Sequence, residues 1–315
     1  MTLPDLAALE SAAELIYRVM PPTPQIRWPL LCSRAGAEVW VKHENHTPAG
    51  AFKVRGGIVY MDRLRRREPG VTGVAAATRG NHGQSVAFAA TRVGLRAVIV
   101  VPHGNSPEKN AAMRSFGAEL IEHGADFQEA YEYLATLAAA ERLHMVRSFD
   151  PALVAGVGTY AIELFRAVPS LETVYVPVGM GSGICGTVAA RNALDLKTEI
   201  VGVVAAGAPA YALSFNARRV VTAGADTIAD GLACRVPDPE ALEIMLENAS
   251  RIVTVGDAEI QAAMRHLFSD THSAAEGAGA AALAALLKER SGRRAAVILS
   301  GANVDTEVFA RVLSV

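Results

Sequence analysis

Thr173-Val174-Tyr175-Val176-Pro177-Val178-Gly179-Met180-Gly181-Ser182-Gly183-Ile184-Cys185-Gly186 reads as an apolar strand, a glycine-rich turn and the opening of a helix. Successive backbone N–H groups in such a turn, with the dipole of the helix behind them, face an anion, which makes the stretch a phosphate cradle. Gly181 to Gly186 also satisfies G-x-G-x-x-G, so a dinucleotide site competes, and a tight turn with no ligand is a third reading. A dinucleotide site wants Asp or Glu about 20 residues on, at the end of the next strand, to hold a ribose. That strand runs Val201-Gly202-Val203-Val204-Ala205-Ala206 and ends without a carboxylate, so a mononucleotide or a cofactor phosphate suits the cradle better.

The same strand-then-helix rhythm extends in both directions. Upstream, short β-branched runs alternate with longer helical ones: 72–77 then 81–93, 96–101 then 107–116, 119–121 then 126–142. Downstream come 199–205, 239–248, 251–255, 258–268, 276–289, 295–299 and a closing helix. Alternation of this kind gives an α/β protein with parallel sheets covered by helices on both faces. The turn signal Phe149-Asp150-Pro151 separates the two series and marks a change of sheet. Ahead of both, residues 1–20 form an amphipathic helix without the basic-then-apolar order of a signal peptide. Pro21-Pro22-Thr23-Pro24 then reads as an extended surface segment.

Composition narrows the class. With 315 residues, 51% hydrophobic and 20% charged, the chain can bury a large core. Thirty basic against thirty-two acidic residues, with no basic block, leave no electrostatic footprint for nucleic acid, so a small molecule is the expected ligand. Cys32, Cys185 and Cys234 are far apart and odd in number, which argues against a disulfide framework or zinc site and fits a reducing cytoplasm. Apolar runs break well short of the ~20 residues that a bilayer demands.

Chemistry is suggested at three further places. In Ala51-Phe52-Lys53-Val54-Arg55-Gly56-Gly57, at the start of a helix, Lys53 is flanked by small and apolar residues, and a desolvated lysine becomes a usable amine nucleophile. The plain alternative is a solvated lysine on an amphipathic helix. Thr78-Arg79-Gly80-Asn81-His82-Gly83-Gln84 lies at another strand-to-helix junction, where Thr78 and the first-turn amides suit a carboxylate or simply cap the helix. Ser300-Gly301-Ala302-Asn303 ends the last strand. Parallel sheets gather ligands at the carboxyl ends of their strands, so Ser300, Thr78 and Gly179 are expected on one rim.

Taken in order, the Lys53 stretch, Arg79-Gly80-Asn81-His82, the Gly179–Gly183 loop and Ser300-Gly301-Ala302-Asn303 resemble the serine/threonine dehydratase family, fold-type II pyridoxal-phosphate enzymes. The similarity also takes in Ala155-Gly156-Val157-Gly158-Thr159, Thr227-Ile228-Ala229-Asp230-Gly231 and Glu276-Gly277-Ala278-Gly279-Ala280. The resemblance implies two three-layer parallel-sheet domains, a large one from 1–67 and 151–315 and a small one from 68–150. It implies pyridoxal 5'-phosphate as cofactor, held covalently by Lys53, with Phe52 and Asn81 against its ring, Gly179, Met180, Gly181, Ser182 and Gly183 on its phosphate, and Ser300 facing its pyridine nitrogen. Thr78, Arg79, Gly80, Asn81 and His82 would receive the substrate. The implied reaction removes water from a β-hydroxy amino acid, L-threonine or L-serine, and leaves 2-oxobutyrate or pyruvate plus ammonia. Alternatives are 3-hydroxyaspartate as substrate, or β-replacement on the same fold. A homodimer or tetramer in the cytoplasm is also implied.

The chain departs from the family pattern in places. Ala51 stands where serine is common, and Thr78-Arg79 where two small residues usually open the loop. Val204 and Ala210 occupy the positions where cation-binding members carry Glu and Asp, so no metal site is expected. The chain stops at Val315, soon after the last core helix, so the regulatory domain of biosynthetic threonine dehydratases is expected to be absent.

Overall fold

The computed structural model describes residues 1–290, 292 and 294–314. Its strands are β1 (Gln25–Arg27), β2 (Val39–His43), β3 (Gly73–Ala77), β4 (Arg96–Val101), β5 (Ala118–Glu122), β6 (His144–Met145), β7 (Thr173–Pro177), β8 (Glu199–Ala205), β9 (Arg251–Val255) and β10 (Ala295–Leu299). They form a six-stranded sheet in the order β1-β2-β10-β7-β8-β9 and a four-stranded sheet in the order β5-β4-β3-β6. Every pairing is parallel except β1 with β2, an antiparallel edge.

Both sheets are buried on both faces, and their residues divide by the period of two that a strand imposes. In the larger sheet Val174, Val176, Ala296 and Ile298 face the helices Pro151–Ala167 and Ser182–Ala193. Tyr175, Val201, Val203, Val297 and Leu299 face Asp257–Thr271 and the alanine-rich Gly277–Glu289. In the smaller sheet Val74, Ala76, Ile99 and Val101 pack on Asn81–Arg92 and Lys53–Arg67, while Ala75, Val98 and Val100 pack on Phe127–Glu141. The helix Lys53–Arg67 straddles the two units: its Val54, Ile58 and Met61 join the smaller sheet's core, and a Cβ on its Gly56 would touch Leu153.

Three features differ from the sequence reading. Residues 151–167 form one long helix that the rhythm did not announce. Two further helices, Pro29–Ala35 and Ala210–Ala217, fill stretches to which that rhythm assigned no element. Thr23 is buried although the prolines beside it are exposed, because its backbone carbonyl accepts from Lys42 Nζ at 2.7 Å and its N–H donates to Glu163.

Strand order fixes where a ligand can sit. In an open parallel sheet the crevice lies beyond the carboxyl ends of strands at the point where the order reverses. In the larger sheet that point is between β7 and β10, followed respectively by Gly179 and Ser300. In the smaller sheet it lies at β3 and β6, followed by the Thr78 loop and Ser148.

Candidate active site

The two crevices face one another across a small cavity lined by Lys53, Gly56, His82, Ser148 and Ser182 among others. Lys53 opens its helix. Its predecessor Phe52 has helical backbone angles and makes no side-chain cap, so the helix start is held instead from outside. Phe52 N–H donates to Ser300 O at 3.0 Å, and Ser85 Oγ donates to Lys53 O at 2.7 Å. Ala51 bridges Gly301 across the same seam. Lys53 keeps part of its surface open to the cavity, with Nζ 5.1 Å from the Phe52 ring centroid. Burial lowers its pKa to about 8, against the pull of the Glu276 carboxylate.

The Gly179–Gly183 turn is walled by aromatic hydroxyls. Tyr160 Oη donates to Gly183 O at 2.9 Å and lies 2.9 Å from Thr187 Oγ1, while Tyr211 Oη donates to Met180 O at 3.1 Å. Glycine is required here: Gly181 has φ +99°, and a Cβ on Gly179 would run into the carbonyl oxygen of Gly231. A Cβ on Gly183 would lie 3.7 Å from the Phe52 ring, which places that ring beside the cradle. Ser300 is buried at the end of β10.

Thr78 does not share the rim of Gly179 and Ser300 as expected from the sequence but lies on the opposing one, because it follows β3 of the smaller sheet; its Oγ1 accepts from Gly80 N–H at 3.0 Å and shapes the loop. Asn81 starts its helix and donates to Glu276 Oε1 at 2.6 Å, while accepting from Asn303 Nδ2 at 2.7 Å. His82 is buried, and desolvation together with the nearby Lys53 charge lowers its pKa to about 4, so the ring is neutral and poorly suited to hold a proton. Arg79 alone of the loop is exposed, and it makes no ion pair with any described residue.

Sequence reasoning named Glu276 only within a motif and gave it no role. Buried between Asn81, Gly301 and the two lysines Lys53 and Lys109, its carboxyl is pushed upward by desolvation against the pull of Lys109 and Asn81. Lys109 went unnamed: Nζ pairs with Asp230 at 2.8 Å across the cleft, its stem touches Gly80, and the neighbouring Glu108 accepts from Thr306 N–H. A helix-start glutamate looks like an ordinary cap, and partners 195 positions apart leave no local signal. Val204 and Ala210 are buried apolar residues, and among the described residues no three His, Cys, Asp or Glu side chains are grouped to hold a metal.

A family model described as pyridoxal-phosphate dependent enzyme matches residues 16–301. The chain belongs to that family, and its cofactor is pyridoxal phosphate. It is 33% identical over 289 residues to the L-threonine ammonia-lyase of Thermotoga maritima, covering 90% of this chain and 72% of that protein. Among solved structures it resembles a threonine deaminase from T.th., with a TM-score of 0.89, 31% identity and coverage of 96% and 99% of the two chains. It also resembles maize serine racemase, with a TM-score of 0.92, 25% identity and coverage of 99% and 98%. The residues present fit the cofactor: a desolvated amine at the cavity, a cradle with glycine at 179, 181 and 183 on a helix N-terminus, and the Phe52 ring beside both.

Proposed function

We propose that this chain is a pyridoxal-phosphate dependent ammonia-lyase that removes water from a β-hydroxy amino acid, L-threonine or L-serine, to give 2-oxobutyrate or pyruvate and ammonia. The observation that carries this is Lys53, an amine whose pKa falls to about 8 beside both crevices, in a chain similar to a threonine ammonia-lyase. When bound, pyridoxal phosphate supplies the electron sink that acidifies the substrate's Cα–H.

Gly179 to Gly183 would hold its phosphate, with Phe52 and Asn81 at its ring and Ser300 at its nitrogen. A hydroxyl at that nitrogen does not force a proton onto it as a carboxylate would, and this favours elimination over transamination. The substrate carboxylate would be received by the Thr78–His82 loop, whose first-turn N–H groups open the helix Asn81–Arg92. Lys53 near its pKa at neutral pH, the working range for a general base, can take the Cα proton and as an ammonium deliver a proton to the departing β-hydroxyl. The β-hydroxyl then leaves as water. The dehydrated product, an enamine, tautomerises to an imine that hydrolyses to the keto acid and ammonia.

A second substrate reading has its own support. Arg79 is exposed at the mouth of the carboxylate loop without an ion-pair partner among the described residues, and a guanidinium can bind a second carboxylate bidentately. This favours 3-hydroxyaspartate. Arginine also stays protonated at working pH and cannot serve as an acid/base on the face opposite Lys53, so elimination should proceed without racemisation. We also infer a cytoplasmic homodimer or tetramer; no helix among the described residues is long and apolar enough to cross a membrane.

An ammonia-release screen across L-threonine, L-serine and 3-hydroxyaspartate is the test. Ammonia and the matching keto acid are expected from at least one of them. Cofactor-loaded protein that released ammonia from none would overturn the proposal.

A further inference from the structure

Two residues beyond Lys53, the Arg55 side chain is fully buried in a charged network and is not among the residues lining the cavity. Its Nε and Nη2 donate to Glu44 at 2.7 and 3.0 Å, and its Nη1 and Nη2 donate to Glu163 at 2.6 and 2.9 Å. Nη1 also reaches Thr159 Oγ1 at 3.0 Å, and Nη2 reaches Thr23 Oγ1 at 3.2 Å. Lys42 completes the charge balance by pairing with Glu163. Burying four charges is expensive, and replacement of such a network by apolar side chains is often neutral or stabilising, so stability alone is a poor reason for its presence.

Geometry offers a better one. The network joins three parts of the chain that each carry a piece of the site. Lys42 near the end of β2 and Glu44 just after it belong to the strand that pairs with β10, which leads into Ser300. Thr159 and Glu163 flank Tyr160, whose hydroxyl holds the Gly183 carbonyl. Arg55 lies on the helix of Lys53. The start of that helix has no side-chain cap and is held from outside through the backbone, at the Ala51–Gly301 bridge, the Phe52 N–H and the Lys53 carbonyl. Those holds all act on the backbone of residues 51–53, whereas the Arg55 fork fixes a side chain of the first turn itself in the core. Residues i and i+2 of a helix project about 200° apart, so a grip on Arg55 on the core side sets the direction of Lys53 on the cavity side.

We propose that Arg55 is a positioning residue that aims the Lys53 amine at the cofactor crevice through its bidentate grip on Glu44 and Glu163. It rests on the assignment of Lys53 made under Proposed function. The guanidinium matters as a planar fork: a lysine at 55 keeps the charge but cannot span both carboxylates and both hydroxyls.

The test uses cofactor-loaded Arg55→Lys and Thr159→Val, with Arg34→Lys as control. Arg34 grips Asp270 bidentately at 2.6 and 3.0 Å between the helices Pro29–Ala35 and Asp257–Thr271, so it tests the loss of an arginine–carboxylate fork away from the site. For each protein, kcat, KM, thermal midpoint and the fraction of cofactor fixed to Lys53 by borohydride, read by peptide mass, are measured. Arg55→Lys should lose about tenfold or more in kcat with KM changed less than about twofold, and its fixed fraction should fall in step. Thr159→Val should move the same way by about two- to threefold, and Arg34→Lys should lose thermal stability alone. Wild-type kcat and fixation in Arg55→Lys would overturn the proposal. Thr159→Val at wild-type values would do so even where Arg55→Lys is insoluble. Failure of the wild type to fix cofactor at Lys53 would instead sink the assignment of Lys53 and this proposal with it.

Discussion

The two glycine-bearing turns that face each other across the cavity are built on opposite principles. The Gly179–Gly183 turn is locked from behind: tyrosine hydroxyls hold two of its carbonyls, and backbone from Gly231 closes against it. In the Thr78–His82 loop the Asn81 end is anchored to Glu276 and Asn303, but Arg79 extends to solvent and a Cβ on Gly80 would first meet the flexible stem of Lys109. A phosphate is the same for every reaction of a cofactor, whereas substrates differ, so rigidity at one rim and latitude at the other fit a fixed cofactor and an adjustable substrate.

The comparison breaks if Lys53, which lies between the rims, is dispensable. Lys53→Ala should abolish ammonia release and borohydride-fixed cofactor while leaving the thermal midpoint of the fold nearly unchanged, since no other amine on the described cavity wall can substitute. Turnover at the wild-type rate would place the chemistry elsewhere. The contrast between the rims is sharpened by a matched pair, Gly179→Ala and Gly80→Ala. The first drives a methyl into the Gly231 carbonyl and should cut cofactor retention on dialysis by about tenfold or more. At Gly80 the methyl comes within 3.0 Å of Lys109 Cδ, which can move, so retention should stay near wild type. Equal losses would remove the distinction.

Arg79→Ser tests the adjustable rim directly. The ratio of kcat/KM for 3-hydroxyaspartate over that for threonine should drop by roughly 10-fold, the value of one charge-assisted pair. An unchanged ratio would leave Arg79 with no part in choosing substrate. Chiral analysis of L-serine after long incubation belongs with this experiment, and wild type should yield no appreciable D-serine.

The smallest expected effect is on pH stability. The pKa of His82 falls to about 4 in the fold from an ordinary 6.5, so between those values the unfolded chain binds the extra proton. Stability therefore rises with pH across that window and is lost as pH falls from 6.5 toward 4. His43, lowered to about 4 chiefly by burial, adds a parallel slope. His82→Gln should flatten the acid limb of the thermal midpoint without removing it; a limb of unchanged steepness would mean His82 is protonated in the fold.

Much of this was legible in the sequence because it is written locally. Strand and helix alternate with periods of two and 3.6, and Ala295–Leu299, Glu199–Ala205 and Pro239–Asn248 have the bounds their residues suggest. The turns carrying Lys53, Asn81 and Gly179 announce themselves by glycine and a strand-to-helix change. What was hidden is non-local or featureless. Residues 151–167 lack a polar face because the helix is buried from Ala152 to Phe165, and Gly156 and Gly158 look like breaks. They are instead close approaches, since a Cβ on Gly156 would strike the Arg55 carbonyl and one on Gly158 would meet Gly186. Glu276, Lys109 and the Arg55 network depend on partners that only the folded chain brings together.

The pairing of β2 with β10 also puts the site on a clock. Val39 to His43 cannot acquire that neighbour until Ala295 to Leu299 have left the ribosome, and the hydrogen bond from Phe52 N–H waits for Ser300 in the same way. Contacts of such sequence separation form late, after local helices and the earlier four-stranded unit can already have assembled. A nascent chain thus carries Lys53 without the strand that completes its surroundings until Ala295 to Leu299 have emerged, and the amine proposed to meet the cofactor's aldehyde is properly seated only after that.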